Sequence, residues 1–296
     1  MVLELRNIEK SFGEKKVLTG VSFKAASGKA FGLLGRNGAG KTTAIRILMN
    51  VFPANAGCVL LDGMPIDYTK IRLGYLPEER GLYPKKTIID QLIYFAELKG
   101  MARKDAVRSI DYWLQRLDMM EYRNKRLDTL SKGNQQKIQL ITAVAHDPDI
   151  VILDEPFSGL DPVNAMLLKS VVRELIEKGK IVLFSSHQMS YIEEFCDSIA
   201  ILNKGVVAIA GDLHDIKRNY VRDKLVVRTE DRQAIRNAFP SESTDLDDGG
   251  LLLKMNHPAD KQATMKRLVE EFDVDEVKVF EPSLNDIFVE YAGEGV

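Results

Sequence analysis

Cysteine is nearly absent from this chain: only Cys58 and Cys196 occur among 296 residues. Two thiols at unrelated positions supply neither a disulfide framework nor a metal-ligand spacing, a usage that suits a reducing cytoplasm. Charge of one sign is lacking as well. The 41 Lys and Arg residues against 43 Asp and Glu leave a net charge of −2. No basic excess exists to neutralise nucleic-acid phosphates, so nucleic acid is not an expected partner. Nor does any apolar run approach the ~18 uncharged residues of a membrane span. The first residues, MVLELRNIEK, place charges where a signal peptide needs an apolar core. The chain is not expected to cross a bilayer by itself. Sequence repeats and low-complexity tracts are missing too.

What is present is the composition of a globular protein with ample core: 45% apolar and 28% charged residues, over a length that suits two domains. Up to about position 220 the pattern is α/β. The short apolar runs AFGLLG (30–35), DIVILDE (149–155) and KIVLFSSH (180–187) read as buried parallel strands, each followed by a helical pattern. Residues 2–8, 21–25 and 58–62 alternate between apolar and polar, which predicts a small antiparallel β sheet in front. Between about 85 and 130 the strand pattern vanishes. Ile88, Leu92 and Phe95, then Val107, Ile110, Trp113, Leu114 and Leu117, recur at helical spacing and predict an inserted helical subdomain with Trp113 in its core.

Beyond 220 the pattern changes. Strands at 225–229, near 243–247, at 251–255 and at 276–281 alternate with helices at 231–238 and 260–271. That order, β-α-β-β-α-β, predicts a small ferredoxin-like α+β domain over 221–296, closed by a short helix at SLNDIFVEY in which Phe288 and Tyr291 pack down. The acidic run DLDDGG (245–250) reads as a turn.

GRNGAGKTT (35–43) follows a strand and precedes the helical run AIRILMNVF, the setting that the pattern G-x-x-x-x-G-K-[ST] requires. Gly35, Gly38 and Gly40 let the backbone wrap a phosphate closely, Lys41 supplies a point charge, and Thr42 offers a hydroxyl to Mg²⁺. Arg36, Asn37, Ala39 and Thr43 complete the cradle. IVILDEP (150–156) ends a strand in two carboxylates. Asp154 is placed to hold the hydration shell of Mg²⁺, and Glu155 to orient and deprotonate an attacking water. A pair of solvated strand-end acids is the plainer reading. TLSKGNQQK (129–137) is a second anion setting: Ser131, Gly133 and Asn134 stand where an amphipathic helix carrying Ile138 and Ile141 begins. A hydroxyl, free N–H groups and the positive end of a helix dipole meet there. One nucleotide does not need two phosphate sites in the same chain.

In that order, the phosphate loop, the helical insertion, LSKGNQQK, LDEPFSGLDP and SSHQ resemble an ATP-binding cassette, the ATPase subunit of an ABC transporter, over about residues 1–220. The resemblance implies a P-loop NTPase (RecA-like) core, ATP and Mg²⁺ as ligands, and a second copy of the chain as partner. Cassettes of this family face head to tail. The signature loop, here Ser131, Lys132, Gly133 and Asn134, binds the γ-phosphate of an ATP held by the other subunit. Asp161 in SGLDP resembles the acid that reaches across the dimer. His187 resembles the switch histidine that contacts the γ-phosphate and helps to hold Glu155 and the water. Phe12 in KSFGEKKVL matches the aromatic that stacks on adenine, its rival reading being packing in the front sheet.

Two departures stand out. The usual Leu-Ser-Gly-Gly-Gln signature here carries Lys132 and Asn134, a cation and an amide that both suit phosphate. GYLPEERGLYP (74–84) has Glu78 where the family has a Gln that ligates Mg²⁺. A carboxylate fills an oxygen-ligand position and biases the site toward Mg²⁺-loaded nucleotide; a solvated loop acid is the alternative.

The implied function is a cytoplasmic ATPase subunit that couples ATP-driven closure of a homodimer to an integral-membrane permease, held peripherally at the inner face of the cell membrane. The domain after 220 and the EPSLNDIF ending resemble bacterial efflux-type ATPases, so export is expected by analogy, and the permease selects the cargo. The alternative is a non-transport ABC ATPase of translation or repair. Translation-type members carry two cassettes where this chain has one phosphate loop. Repair-type members insert a long coiled coil where only about 90 positions separate Lys41 from Ser131. A GTP switch would need Asn-Lys-x-Asp, for which NKGV (203–206) is the nearest candidate. A catalytically dead scaffold conflicts with Glu155. The 221–296 domain is expected to strengthen cassette pairing, with a passive appendage as the other reading.

Overall fold

The computed structural model describes residues 1–296 except 80, 187, 221, 222, 240–242, 247, 248, 256 and 294–296. It divides into two compact units: Met1–Leu213 together with Phe288–Val296, and His214–Ile287.

In the first unit the chain opens with a long hairpin, β1 (Val2–Phe12) and β2 (Lys15–Ala26). β3 (Lys29–Gly35) then runs into the glycine loop and α1 (Lys41–Leu48). Next come β4 (Ala56–Leu61), β5 (Met64–Pro65) and β6 (Leu73–Leu76), and after them the helices α2 (Ile88–Leu98), α3 (Arg103–Arg116) and α4 (Lys132–Val144). β7 (Ile150–Asp154), α5 (Pro162–Glu177), β8 (Ile181–Ser185), α6 (Met189–Phe195), β9 (Cys196–Asn203) and β10 (Val206–Asp212) complete it, and α7 (Leu213–Asn219) follows.

Two sheets result. The front sheet has the order β2-β1-β4-β5 and is antiparallel throughout. The central sheet has the order β10-β9-β3-β8-β7-β6; every neighbouring pair is parallel except the β9–β10 hairpin. β7 and β8 are buried at every residue, and β3 at all but its first, because both faces of a parallel sheet are covered. Leu3, Leu5, Val21 and Phe23 of the front sheet share one core with Phe31 and Leu33 of β3 and with Ile45 and Leu48 of α1. Leu18 and Leu202 of that core crowd Gly40 and Gly35 of the glycine loop from the front and central sheets.

The helical insertion is where the spacing places it. Ile88, Leu92, Ile110, Trp113, Leu114 and Leu117 are all buried. The sequence reading missed three strands of the central sheet, β6, β9 and β10. β6 is only four residues long, but the apolar runs Ile199–Leu202 of β9 and Val206–Ala210 of β10 were there to be read, although β10 buries none of its residues.

In the second unit, β11 (Lys224–Arg228), α8 (Arg232–Ala238), β12 (Ser243–Asp245), β13 (Leu251–Lys254), α9 (Lys261–Glu271) and β14 (Glu276–Val279) follow the expected β-α-β-β-α-β order. Its antiparallel sheet, β12-β13-β11-β14, has the ferredoxin-like order. Leu225, Val227, Ile235, Leu251, Leu253 and Leu268 form its core. The far end of the predicted 243–247 strand, and 247–248 of the acidic turn, lie outside the described residues.

The terminal helix α10 (Leu284–Ala292) departs from the expected division at 220/221, because its last turn belongs to the first unit. There Asn203 Nδ2 donates to Tyr291 O at 3.0 Å, and Ala292 is buried. The side chains of α10 that bury fully are Leu284, Ile287 and Ala292; Phe288 and Tyr291, expected to pack the helix down, are half-buried.

Candidate functional site

Three neighbouring strands of the central sheet end at one edge and build the site. β8 lies between β3 and β7, with Leu33 opposite Ser185 and Asp154 opposite Ser185 from the other side. The carboxyl edge of such a sheet is where ligands bind in open α/β folds. Gly35 ends β3 with so little room that an added Cβ would lie 2.6 Å from Leu202 O. The loop that follows turns tightly, Ala39 N donating to Arg36 O at 3.0 Å, and Gly40 starts α1 in a left-handed conformation. The first-turn N–H groups of α1 therefore face the loop's interior, the arrangement that binds anions.

Lys41 is buried at the head of α1. Its Nζ donates to Gly35 O at 2.5 Å and to Arg36 O at 3.4 Å, laying the ammonium across the loop. Burial pushes its pKa below the ordinary lysine value, opposed by the charges of Asp154, Glu155 and Glu78. These groups surround a cavity of about 630 Å³, of a size common for small-molecule sites.

Asp154 and Glu155 are both buried, an arrangement that solvated strand-end acids do not have. Asp154 Oδ2 accepts from Tyr75 OH at 3.4 Å. Burial, with the Asp154 charge second, pushes the Tyr75 phenol up to about 12, so it stays a donor. Glu155 takes a left-handed backbone (φ 49), uncommon for a non-glycine residue, with its N–H donating to Ser185 O at 2.8 Å. Its Oε2 accepts from Ser186 Oγ at 3.2 Å, and that hydroxyl in turn accepts from Gln188 N at 3.1 Å. A buried carboxylate on a left-handed backbone, held by Ser185 and Ser186 at the end of the neighbouring strand, is the kind of strain found at functional sites.

Arg36, Asn37, Gly38, Gly40, Lys41, Thr42, Thr43, Glu78, Asp154 and Glu155 all line this cavity, as the sequence reading expects of the phosphate and metal residues. Ala39, the remaining loop member, lines a smaller neighbouring cavity with Asn203 and Lys204. Gly35 meets the site through its carbonyl. His187 lies outside the described residues.

Phe12 does not line the cavity. It is half exposed at the end of β1, edge-on to Phe52 at 5.5 Å with Lys10 over its ring, while its register partner Lys15 and the next two residues of β2 do line the cavity. Sequence reasoning missed Tyr75, Ser186, Lys15, Lys16 and Lys204. All five lie in stretches already singled out for other residues: Lys15 and Lys16 in KSFGEKKVL, Tyr75 in GYLPEERGLYP, Ser186 in SSHQ and Lys204 in NKGV.

Ser131, Lys132, Gly133, Asn134 and Asp161 form a separate group away from the cavity. Ser131 caps α4, its hydroxyl accepting from Asn134 N at 3.3 Å, which confirms a helix start at the signature. Asp161 caps α5, accepting from Asn164 N at 2.9 Å and from Asn164 Nδ2 at 2.5 Å. Those bonds hold the Asp161 carboxyl below the usual range. The Asn164 amide also abuts Gly133, where an added Cβ would lie 3.1 Å away. The two motifs thus share one surface, with Ser131, Lys132 and Asp161 exposed.

The donors suited to a cation are the Thr42 hydroxyl and the Asp154 and Glu78 carboxylates, all hard oxygens. Among the described residues no group of three or more His, Cys, Asp or Glu could hold a metal by itself. A partial oxygen set that leaves positions for phosphate and water fits Mg²⁺ better than a caged metal. Among the described residues no helix is long and apolar enough to cross a membrane.

Comparison with known proteins gives two family matches: ABC transporter over residues 18–158, and the C-terminal domain of DrrA1-3-like ATP-binding proteins over 211–292. The chain is 40% identical over 298 residues to the uncharacterized ABC transporter ATP-binding protein YhaQ of Bacillus subtilis (strain 168), covering 99% of each. It is 29% identical over 271 residues to the Nod factor export ATP-binding protein I of Burkholderia lata, covering 89% of each. Among solved structures it resembles the ATP-binding subunit of an ABC transporter, with a TM-score of 0.68 and 29% identity over 74% of this chain and 93% of that one.

Proposed function

The chain belongs to the ABC transporter ATP-binding proteins, and from that premise we propose that it is the ATPase subunit of an exporter, working as a homodimer on a membrane permease. One observation carries the reading: Lys41, Asp154 and Glu155, from two separate strand ends, are buried around one cavity with the glycine loop. Lys41 and the α1 amides bind the β- and γ-phosphates of ATP, and Thr42, Asp154 and Glu78 hold Mg²⁺. When bound, Mg²⁺ neutralises developing phosphate charge. Tyr75 fixes the Asp154 carboxylate. Glu155 orients the attacking water and takes its proton, while the Ser186 hydroxyl holds Glu155 in its strained position. His187, the residue after Ser186, adds the γ-phosphate contact that its sequence position implies.

The separation of Ser131–Asn134 from the cavity supports completion of each site by a second copy, with Asp161 beside the signature at the same surface. Phe12 stacks on adenine from the hairpin end next to Lys15. Export is supported by the Nod factor export relative, and the permease partner places the chain at the inner face of the membrane.

Lys41→Ala tests the phosphate site. The variant should lose tight Mg–ATP binding in calorimetry, and micromolar affinity in the variant would refute the assignment.

A further inference from the structure

Lys204 sits where a lysine is conformationally awkward. β9 and β10 are joined by a two-residue loop, Lys204 and Gly205, with Asn203 paired to Val206. Both loop residues have positive φ, 47 for Lys204 and 82 for Gly205. This is the tight hairpin geometry that favours Asn-Gly or Asp-Gly, because a side chain with Cβ crowds the backbone in the left-handed region.

The turn is also immobilised on three sides. Gly205 N donates to Ala39 O in the phosphate loop at 3.1 Å, and Gly205 O accepts from Thr19 N at 2.8 Å. Asn203 Nδ2 donates to Tyr291 O near the end of α10 at 3.0 Å. At Gly205 no other residue fits, since a Cβ there would lie 2.3 Å from Val17 O. Lys204 is thus carried on a rigid mount bonded directly to the phosphate loop. It lines the large cavity, which also presents the carboxylates of Glu78, Asp154 and Glu155, and the small one beside Ala39. Lys15, Lys16, Arg36 and Lys41 line the large cavity too, so positive charge alone does not single out Lys204; what does is its mount, a turn whose Gly205 is bonded directly to Ala39 of the phosphate loop.

We propose that Lys204 is a further nucleotide-binding residue, its ammonium holding the polyphosphate chain alongside Lys41. This rests on the nucleotide reading of the cavity. The β9–β10 turn, gripped by the phosphate loop and by the end of α10, positions it.

The test is calorimetry of Mg–ATP and of AMP binding to the full-length chain, wild type against Lys204→Asn and Lys204→Arg, at low and high salt. Asn suits the left-handed turn, so the thermal midpoint of Lys204→Asn should equal or exceed that of the wild type. Its Mg–ATP affinity should fall about three- to tenfold, less than a buried charged contact would lose because Lys204 is exposed and partly screened. AMP affinity should change less, the loss should shrink at high salt, and Lys204→Arg should recover most of it. Equal ATP affinity in Lys204→Asn overturns the proposal. So does an equal loss for ATP and AMP, or an Arg variant no better than Asn. A wild type that binds no ATP would instead refute the nucleotide site itself.

Discussion

Replacing Glu155 by Gln removes one negative charge and almost no volume. The residue is 8% exposed, and its backbone is fixed by the bonds between Glu155 N and Ser185 O and between Ser158 N and Glu155 O. The Gln amide oxygen can still accept from Ser186 Oγ, now 3.2 Å from Oε2, so the cavity should keep its shape. What is lost is the proton acceptor. General-base catalysis contributes a factor of about 10²–10⁴, and at about 1.4 kcal/mol per tenfold the barrier should rise by about 3–6 kcal/mol. Binding should move the other way, since Glu155 is one of the acids that a triphosphate must approach, and ATP affinity should equal or exceed that of the wild type. Phosphate release and calorimetry on the same preparations separate the two effects, and gel filtration with ATP should show the variant as a dimer. Near-normal turnover would mean that the base lies elsewhere. Loss of ATP binding would mean that the charge holds the site together, and the catalytic assignment would fall.

Ser131→Arg should leave ATP binding to the isolated chain intact and stop hydrolysis, because the signature lies away from its own cavity. Mixing it with Lys41→Ala should restore part of the activity through one rebuilt site, and loss of ATP binding by Ser131→Arg alone would place the loop in cis. Ending the chain at Asp223 removes the accessory sheet and α10; the cassette should remain folded and bind ATP. Its Tm should fall by about 2–4 °C for about 1 kcal/mol lost with the Asn203–Tyr291 bond, whereas an insoluble product would show a shared core. An unchanged dependence of its ATPase on protein concentration would remove the pairing role. Finally, His146 is buried with Nε2 3.0 Å from Leu73 O, and burial pushes its pKa from 6.5 down to about 4. The unfolded chain therefore binds this proton first as pH falls. Stability due to neutral His146 is present above about 6.5 and is lost toward about 4, by up to about 3 kcal/mol. Urea denaturation across that range should show a shallower slope in His146→Gln, and equal slopes would exclude His146 as the cause.

The phosphate loop, the Asp154–Glu155 pair and the helix start at Ser131 were legible from residue order alone. Each depends on local backbone demands: glycines where the chain must turn against Leu202, a strand that stops at Asp154, a hydroxyl three positions ahead of a free N–H. The helical insertion and the β-α-β-β-α-β order were legible for the same reason, since periodicity is a property of neighbours. β6 was not, because a four-residue strand is recognised only by the strand it pairs with, while the apolar runs of β9 and β10 were present in the sequence and simply passed over.

The sequence by itself determined the glycine loop and the adjacent strand-end carboxylates to which phosphate binding and the base role are proposed. The tertiary structure decided what supports them. Tyr75 reaches Asp154 because β6 and β7 are neighbours, Ser186 reaches Glu155 because β8 lies beside β7, and Gly205, with Lys204 before it, is bonded to Ala39 of the phosphate loop because β9 lies beside β3. It also left Ser131 and Asp161 on a surface apart from the cavity that Lys41 lines. Pairings between residues tens to more than a hundred positions apart follow from strand order, and strand order is set by the packing of whole sheets rather than by any short stretch of chain.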